Sequence, residues 1–145
     1  MIGTERRQAI VRYPAGDDDG GHSRRLPGRL HVDVEHWTLS WEPLPAELRP
    51  LGGRILANRI VATEVPPDCH PLGPSNRLVL ACGLLTGTRA PSSGRLSVSA
   101  KSPLSQGIKE SSLGGMAPPA MAWTGLRLLE VSGFADVAET PLLLH

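Results

Sequence analysis

The chain has few aromatic residues: three Trp, one Tyr and one Phe among 145 residues, namely Trp37, Trp41, Trp123, Tyr13 and Phe134. So small a set leaves no extended stacking platform for single-stranded nucleic acid. Charge of one sign is missing as well, since Lys and Arg total 15 against 14 for Asp and Glu, a formal net charge of +1. That balance removes the electrostatic case for nucleic acid. Only Cys69 and Cys82 are present, without CxxC spacing, too few for a disulfide scaffold, a four-ligand zinc site or an iron–sulfur cluster. Both read as inert thiols, Cys82 in an apolar strand and Cys69 in a loop, with a bridge between them the minor reading. No run of about 18 apolar residues could span a bilayer. The first ten residues carry Glu5, Arg6 and Arg7 and no apolar signal-peptide core, so a cytoplasmic protein without membrane contact is expected. Walker A spacing and a strand–GxGxxG–helix arrangement are likewise absent.

What the chain does have is 16 Gly and 14 Pro, a density of turn formers that argues against a helical bundle. Residues 1–27 read as a poorly specified leader. Its Asp17-Asp18-Asp19-Gly20-Gly21 run lacks the alternating ligands and distal Glu of a calcium loop, and is expected to be a solvated linker. From Leu30 the texture changes. Leu30, Val32 and Val34 alternate with His31 and Asp33, and Thr38-Leu39-Ser40-Trp41 alternates again, which predicts a β-hairpin ended by Pro43 and Pro45. His31 and His36 have no third ligand nearby and are expected to be exposed hairpin side chains; His70 and His145 read as surface residues.

Gly52-Gly53 opens the best helix candidate, over Arg54 to Val61, with Leu56, Ile60 and Val61 on one face and Pro66-Pro67 as the stop. Three further strands are expected, at residues 77–83, 94–101 and 123–131, with a turn at Gly133. The residues 141–145 look like a strand that begins and is cut off. Two polar, glycine-rich loops lie between strands, at residues 85–95 and 101–115. Glycine allows close backbone approach to a ligand, hydroxyls and N–H groups hold oxyanions, and Arg or Lys supplies charge. By themselves these loops describe an anion site of low specificity, and ordinary turn-rich connections between strands are the more frequent explanation.

A series of ordered blocks narrows the choice. Leu51-Gly52-Gly53-Arg54, Glu64-Val65-Pro66-Pro67, Asp68-Cys69-His70-Pro71-Leu72-Gly73-Pro74-Ser75-Asn76, Leu85-Thr86-Gly87-Thr88, Ala90-Pro91-Ser92-Ser93-Gly94-Arg95, Lys101-Ser102-Pro103-Leu104, Gly114-Gly115 and Gly133-Phe134-Ala135 resemble the N-terminal domain of the tungsten-containing aldehyde:ferredoxin oxidoreductases. The resemblance covers residues 28–145. It implies a mainly β (α+β) domain, a platform of two twisted antiparallel sheets with one or two short helices, on which a bis-pterin tungsten (or molybdenum) cofactor rests. It assigns Arg95 a place between the proximal pterin and a four-iron cluster. It lays Ser112-Leu113-Gly114, with Gly115, against the pterin and its phosphate, where a backbone carbonyl also helps hold magnesium. Lys101 joins these as a cofactor-binding candidate.

Departures from the family pattern are visible in the same blocks. Ser112 replaces an asparagine, Leu113 stands where serine is usual, Arg127 where aspartate is frequent, and Glu130 where the strand is normally apolar. The cluster cysteines, the second pterin segment and the acid/base residues of the family have no equivalent here. The expectation is therefore half a site. The chain would be a small subunit or split-gene part of a pterin oxidoreductase whose larger partner carries the 4Fe-4S cluster and the remaining domains. The alternative is a non-catalytic assembly protein that uses the same β platform, as a homo-oligomer without cofactor.

Overall fold

The computed structural model describes residues 10–12 and 27–134. The acidic run at residues 17–21, the strand expected at residues 141–145 and His145 lie outside the described residues.

Period-2 segments become strands where one side meets a core. β1 (Ile10–Arg12), β2 (Gly28–Asp33), β3 (Thr38–Pro43), β4 (Arg77–Cys82), β5 (Leu96–Lys101), β6 (Ile108–Leu113) and β7 (Leu126–Ser132) are joined by two helices, α1 (Gly53–Glu64) and α2 (Ala117–Trp123). The mainly β architecture with short helices is as expected. The strands form one mixed sheet, ordered β1-β3-β2-β7-β4-β5-β6, rather than two antiparallel sheets. Two neighbour pairs are parallel, β1 with β3 and β2 with β7. The last described strand thus sits in the middle, wedged between β2 and β4. Its exit is the expected turn: Gly133 has φ +92°, and a Cβ there would lie 2.9 Å from both the Asp33 carboxylate and the Glu35 backbone, so only glycine fits. β1 falls within the stretch read as leader and pairs with Thr38 to Ser40 of β3.

α1 runs within the limits its flanking Gly52-Gly53 and Pro66-Pro67 imply, and buries Leu56, Ala57, Ile60 and Val61. These meet Val79, Ala81, Leu128, Leu44 and Val65 in the main core. Each fully buried aliphatic side chain contributes roughly 1.5–3 kcal/mol. The helix also lies on the serine side of β5. Ser97 and Ser99 are buried, and the Ser99 hydroxyl donates to Asn58 Oδ1 at 2.7 Å. Small side chains with satisfied hydroxyls let the helix approach closely without stranding a polar group.

The polar stretch 101–115, read as one loop, contains β6. It is an edge strand exposed along nearly its whole length, so neither face imposes the apolar alternation by which strands are recognised. The second short helix, α2, falls where local pattern marks none. Pro118-Pro119 reads as a break, yet proline is tolerated in a helix's first turn, where its missing N–H has no partner to lose.

Beneath the C-terminal end of α1 lies a group of charges. Glu130 on β7 is fully buried, with Oε2 accepting from Arg29 at 3.0 Å and Arg77 at 2.8 Å. Glu64, closing α1, accepts from the same two guanidiniums at 2.5 and 2.7 Å. Burial works against the Arg29 charge, but the hydrogen bonds from Glu64 and Glu130 outweigh it and raise its pKa. The four residues tie β2, β4 and β7 to the helix.

Candidate functional site

Antiparallel pairing of β5 with β6 sets Leu96 opposite Leu113 and Ser97 opposite Ser112. Continuing that register by one residue brings Arg95 beside Gly114, and the structure does so. A Cβ on Gly114 would sit 3.4 Å from Arg95 Nη1 and 3.8 Å from Cζ, so the guanidinium rests on the glycine backbone. Gly115 follows with φ +95° and nothing within 4 Å of where its Cβ would be. Arg95 is exposed, as are Ser112, Gly114 and Gly115. Its guanidinium makes no ion pair among the described residues, whereas Arg29, Arg54 and Arg77 are all paired.

The backbone of Arg95 is held firmly. Gly83 N–H donates to its carbonyl at 3.0 Å, and the buried Thr86 hydroxyl donates to the carbonyls of Arg95 and Ser93 at 2.8 and 2.9 Å. Thr86 lies in the loop read as a holder of oxyanions. Its hydroxyl instead faces inward and positions Arg95, a role no local pattern announces because the partners are seven and nine residues away. The Thr88 hydroxyl likewise donates within its own turn, to Leu85 O at 2.7 Å.

Lys101 is not brought to this place. It closes the other end of β5, five residues beyond Leu96 and about 20 Å from Arg95 at ~3.4 Å per residue. Its buried ammonium donates to the carbonyls of Pro67 and Cys69 at 2.5 and 2.7 Å. Two shallow cavities, about 240 and 190 Å³, both flank Lys101 rather than Arg95. At Arg95 the surface is an open ledge.

The remaining candidates are accounted for by local contacts. His36 is exposed and its Nδ1 lies 2.8 Å from Asp33 Oδ2, which raises the imidazole pKa. His31 is half-buried rather than exposed, with Nε2 2.7 Å from Ser132 Oγ. Both cysteines are free, and burial pushes the Cys82 thiol up to about 11, with the Arg127 charge acting weakly in the other direction. Among the described residues no three His, Cys, Asp or Glu side chains gather as metal ligands. No helix there is long and apolar enough to cross a membrane.

The family model described as aldehyde ferredoxin oxidoreductase, N-terminal domain, matches residues 29–145. The chain belongs to this family. Its aldehyde ferredoxin oxidoreductase relatives include the tungsten-containing aldehyde ferredoxin oxidoreductase of Pyrococcus furiosus, 40% identical over 86 residues, 59% of this chain and 14% of that protein. The Pyrococcus horikoshii protein of the same description is 34% identical over 109 residues, 74% of this chain and 18% of that protein. Among solved structures, the active site complex BamBC of benzoyl coenzyme A reductase, in complex with 1,5 dienoyl-CoA, matches with TM-score 0.72 and 28% identity. The match covers 76% of this chain and 17% of that one. The chain thus spans less than a fifth of the aldehyde ferredoxin oxidoreductases it resembles, and Arg95 lies within the residues that the N-terminal domain model matches.

Proposed function

We propose that this chain is a small subunit or split-gene part of a tungsten- or molybdenum-pterin oxidoreductase acting on aldehydes or related substrates, and that it supplies part of the platform under the pterin. The observation that carries this reading is the exposed Arg95 guanidinium, without an ion pair among the described residues, lying on Gly114 beside the open backbone of Gly115. A guanidinium next to unobstructed glycine backbone suits a planar, phosphate-bearing group: it gives two N–H donors in a fixed fork, and no side chain blocks the approach. The pterin-bound metal, when present, supplies the two-electron redox chemistry. This chain's residues would bind and orient the group: Arg95 would pair with its phosphate or pterin oxygens, Gly114 and Gly115 would leave room for it, and Ser112 would offer a main-chain carbonyl to a magnesium ion. Lys101 enters the reading only as a brace for the sheet, because its ammonium is engaged elsewhere.

A larger partner would contribute the four-iron cluster, the second pterin's contacts and the acid/base groups. The test is purification of the tagged chain from its own cells, with tungsten, molybdenum and pterin assayed in the complex. Arg95→Ala is expected to lower metal and pterin content about tenfold or more, the scale of one lost charge-assisted pair, with the melting temperature unchanged. Equal cofactor content in variant and wild type removes Arg95 from the site. The exposed edge strand β6 favours a second reading, a cofactor-free homo-oligomer that pairs through this edge. A complex of this chain alone, free of metal and pterin, would establish it.

A further inference from the structure

Strand β6 carries Ser112 and leads directly into Gly114, yet it lies at the sheet edge, pairs with β5 alone and has five of its six residues exposed. Alternation places Glu110, Ser112 and, one step on, Gly114 on the same face as Arg95, Ser97 and Ser99. That is the face on which α1 packs, while Lys109, Ser111 and Leu113 point the other way. The one residue of β6 that is not exposed is Glu110, its side chain 11% accessible. Its Oε2 accepts from Arg54 Nε at 3.0 Å and its Oε1 from the Ser112 hydroxyl at 3.4 Å. The Ser97 hydroxyl above all, with Arg54 and Ser112, holds the carboxyl below the usual carboxylate range against the partial loss of water. Among the described residues no other side chain of β6 forms a hydrogen bond or ion pair outside its own strand.

We propose that Glu110 is a positioning residue for the site: held by Arg54, it anchors β6 to the first turn of α1 and so keeps Ser112 and Gly114 beside Arg95. The inference rests on the pterin-platform reading above. Arg54 is a fixed point because α1 is fixed. The helix buries Leu56, Ala57, Ile60 and Val61, and its Asn58 receives the Ser99 hydroxyl at 2.7 Å. Gly53, just before Arg54, comes so close to β5 that a Cβ on it would lie 3.7 Å from Ser97 Oγ. The far end of β6 has no such support. Leu113 is 44% exposed, Gly114 and Gly115 carry no side chains, and a Cβ on Gly115 would meet nothing within 4 Å. Glu110 stands two residues before Ser112 and four before Gly114, roughly 7 and 14 Å along an extended strand. An edge strand released at Glu110 therefore frays over the residues that the site uses. With the Arg54 side chain 68% exposed, the pair contributes little to global stability, and its effect is local.

The test measures amide hydrogen exchange in the full chain, and metal and pterin content in the complex purified from its own cells, for wild type, Glu110→Ala and Glu110→Gln. In Glu110→Ala the β6 amides are expected to exchange about tenfold faster, while those of α1, β4 and β7 and the melting temperature stay at the wild-type level. Glu110→Gln keeps a neutral acceptor for Arg54 and Ser112 and is expected to recover part of the protection, leaving about a threefold rise. Cofactor content is expected to fall in the same order, alanine below glutamine below wild type. Unchanged β6 exchange in Glu110→Ala overturns the inference, as does faster exchange spread evenly over the whole sheet. Loosened β6 with full cofactor content overturns the positioning role and leaves the proposed function standing. A wild-type complex free of metal and pterin, whose β6 nevertheless loosens in Glu110→Ala, overturns the proposed function and establishes the anchor on α1.

Discussion

Replacing Glu130 by Gln keeps the size of the side chain and removes its charge, which makes it the sharpest probe of how this sheet is held together. Glu130 is fully buried on the central strand β7, between the guanidiniums of Arg29 and Arg77. Its Oε2 receives the hydrogen bonds; Oε1 lies 2.6 Å from Arg29 Nε without an N–H directed at it, so that contact is a charge attraction. With the carboxylate gone, two guanidiniums, 13% and 25% exposed, share Glu64, itself 28% exposed, and Arg29 keeps only the exposed Glu42 besides, 3.5 Å from its Nε. Breaking a buried pair typically costs 3–5 kcal/mol. The partial exposure of the arginines and the remaining Glu64 place the cost here at the lower end, about 3 kcal/mol. For a chain of this length that is a fall of about 10 °C in melting temperature, read by circular dichroism on the purified chain and checked by urea titration. A second variant, Arg29→Met with Glu130→Leu, removes a charge of each sign and is expected to recover part of the loss. A Glu130→Gln protein melting within about 3 °C of wild type would refute the reasoning, since under 1 kcal/mol is the worth of a surface pair.

Other outcomes follow from the same contacts. Lys101→Met is expected to cost about 1 kcal/mol, because the part-buried carbonyls of Pro67 and Cys69 lose their donor, while cofactor content in the complex stays at the wild-type level; a selective loss of cofactor would return Lys101 to the site. His36 is expected to titrate above the ordinary histidine range by NMR and to return to it in Asp33→Asn. The stabilisation from that pair is full below the unfolded histidine pKa and fades as pH rises through the raised folded value; an unshifted His36 titration would exclude the pair. Cys82 is expected to resist alkylation at pH 8 in the folded chain, given a thiol at about 11, and rapid labelling without unfolding would contradict its burial.

Much of the fold is legible in local pattern. Helix α1 is bracketed by Gly52-Gly53 and Pro66-Pro67, and β2 to β5 and β7 come from alternation or apolar runs. What escapes has physical causes. β6 has no buried face to mark it, and α2 begins on prolines that resemble a terminator. The parallel pairing of β2 with β7 depends on residues about a hundred positions apart. Glu130 stands out on its strand as a charge among apolar neighbours, but nothing nearby names Arg29, Arg77 and Glu64 as its partners. At the site, the proximity of Arg95 to Gly114 follows from an antiparallel hairpin that the sequence shows only by half, its β5 strand. Lys101 shares that strand, and sequence spacing alone cannot tell which end of a strand meets a ligand.

The fate of each cationic side chain separates scaffold from site. Arg29 and Arg77 are locked between carboxylates, and Arg54 is held by Glu110. Arg49 donates to the Leu44 carbonyl and Lys101 to those of Pro67 and Cys69. Each of these charges is compensated inside the fold, so adding an anion would first require breaking a bond that holds the sheet or its loops. Arg95 differs in both respects that matter for binding. Its backbone is fixed by Gly83 and Thr86, so little ordering entropy remains to be lost at its Cα, while its guanidinium has no ion pair among the described residues and lies on a glycine that carries no side chain. Exposure alone would not distinguish it, since Arg59 and Arg89 are also exposed. The glycine beneath it does: filling that position by Gly114→Val is expected to crowd the guanidinium, whose Nη1 is 3.4 Å from where the first new carbon would sit, and to reduce pterin content as Arg95→Ala does. A Gly114→Val complex with full cofactor would mean that the ligand does not approach over this backbone, and that Arg95 serves the partner polypeptide instead.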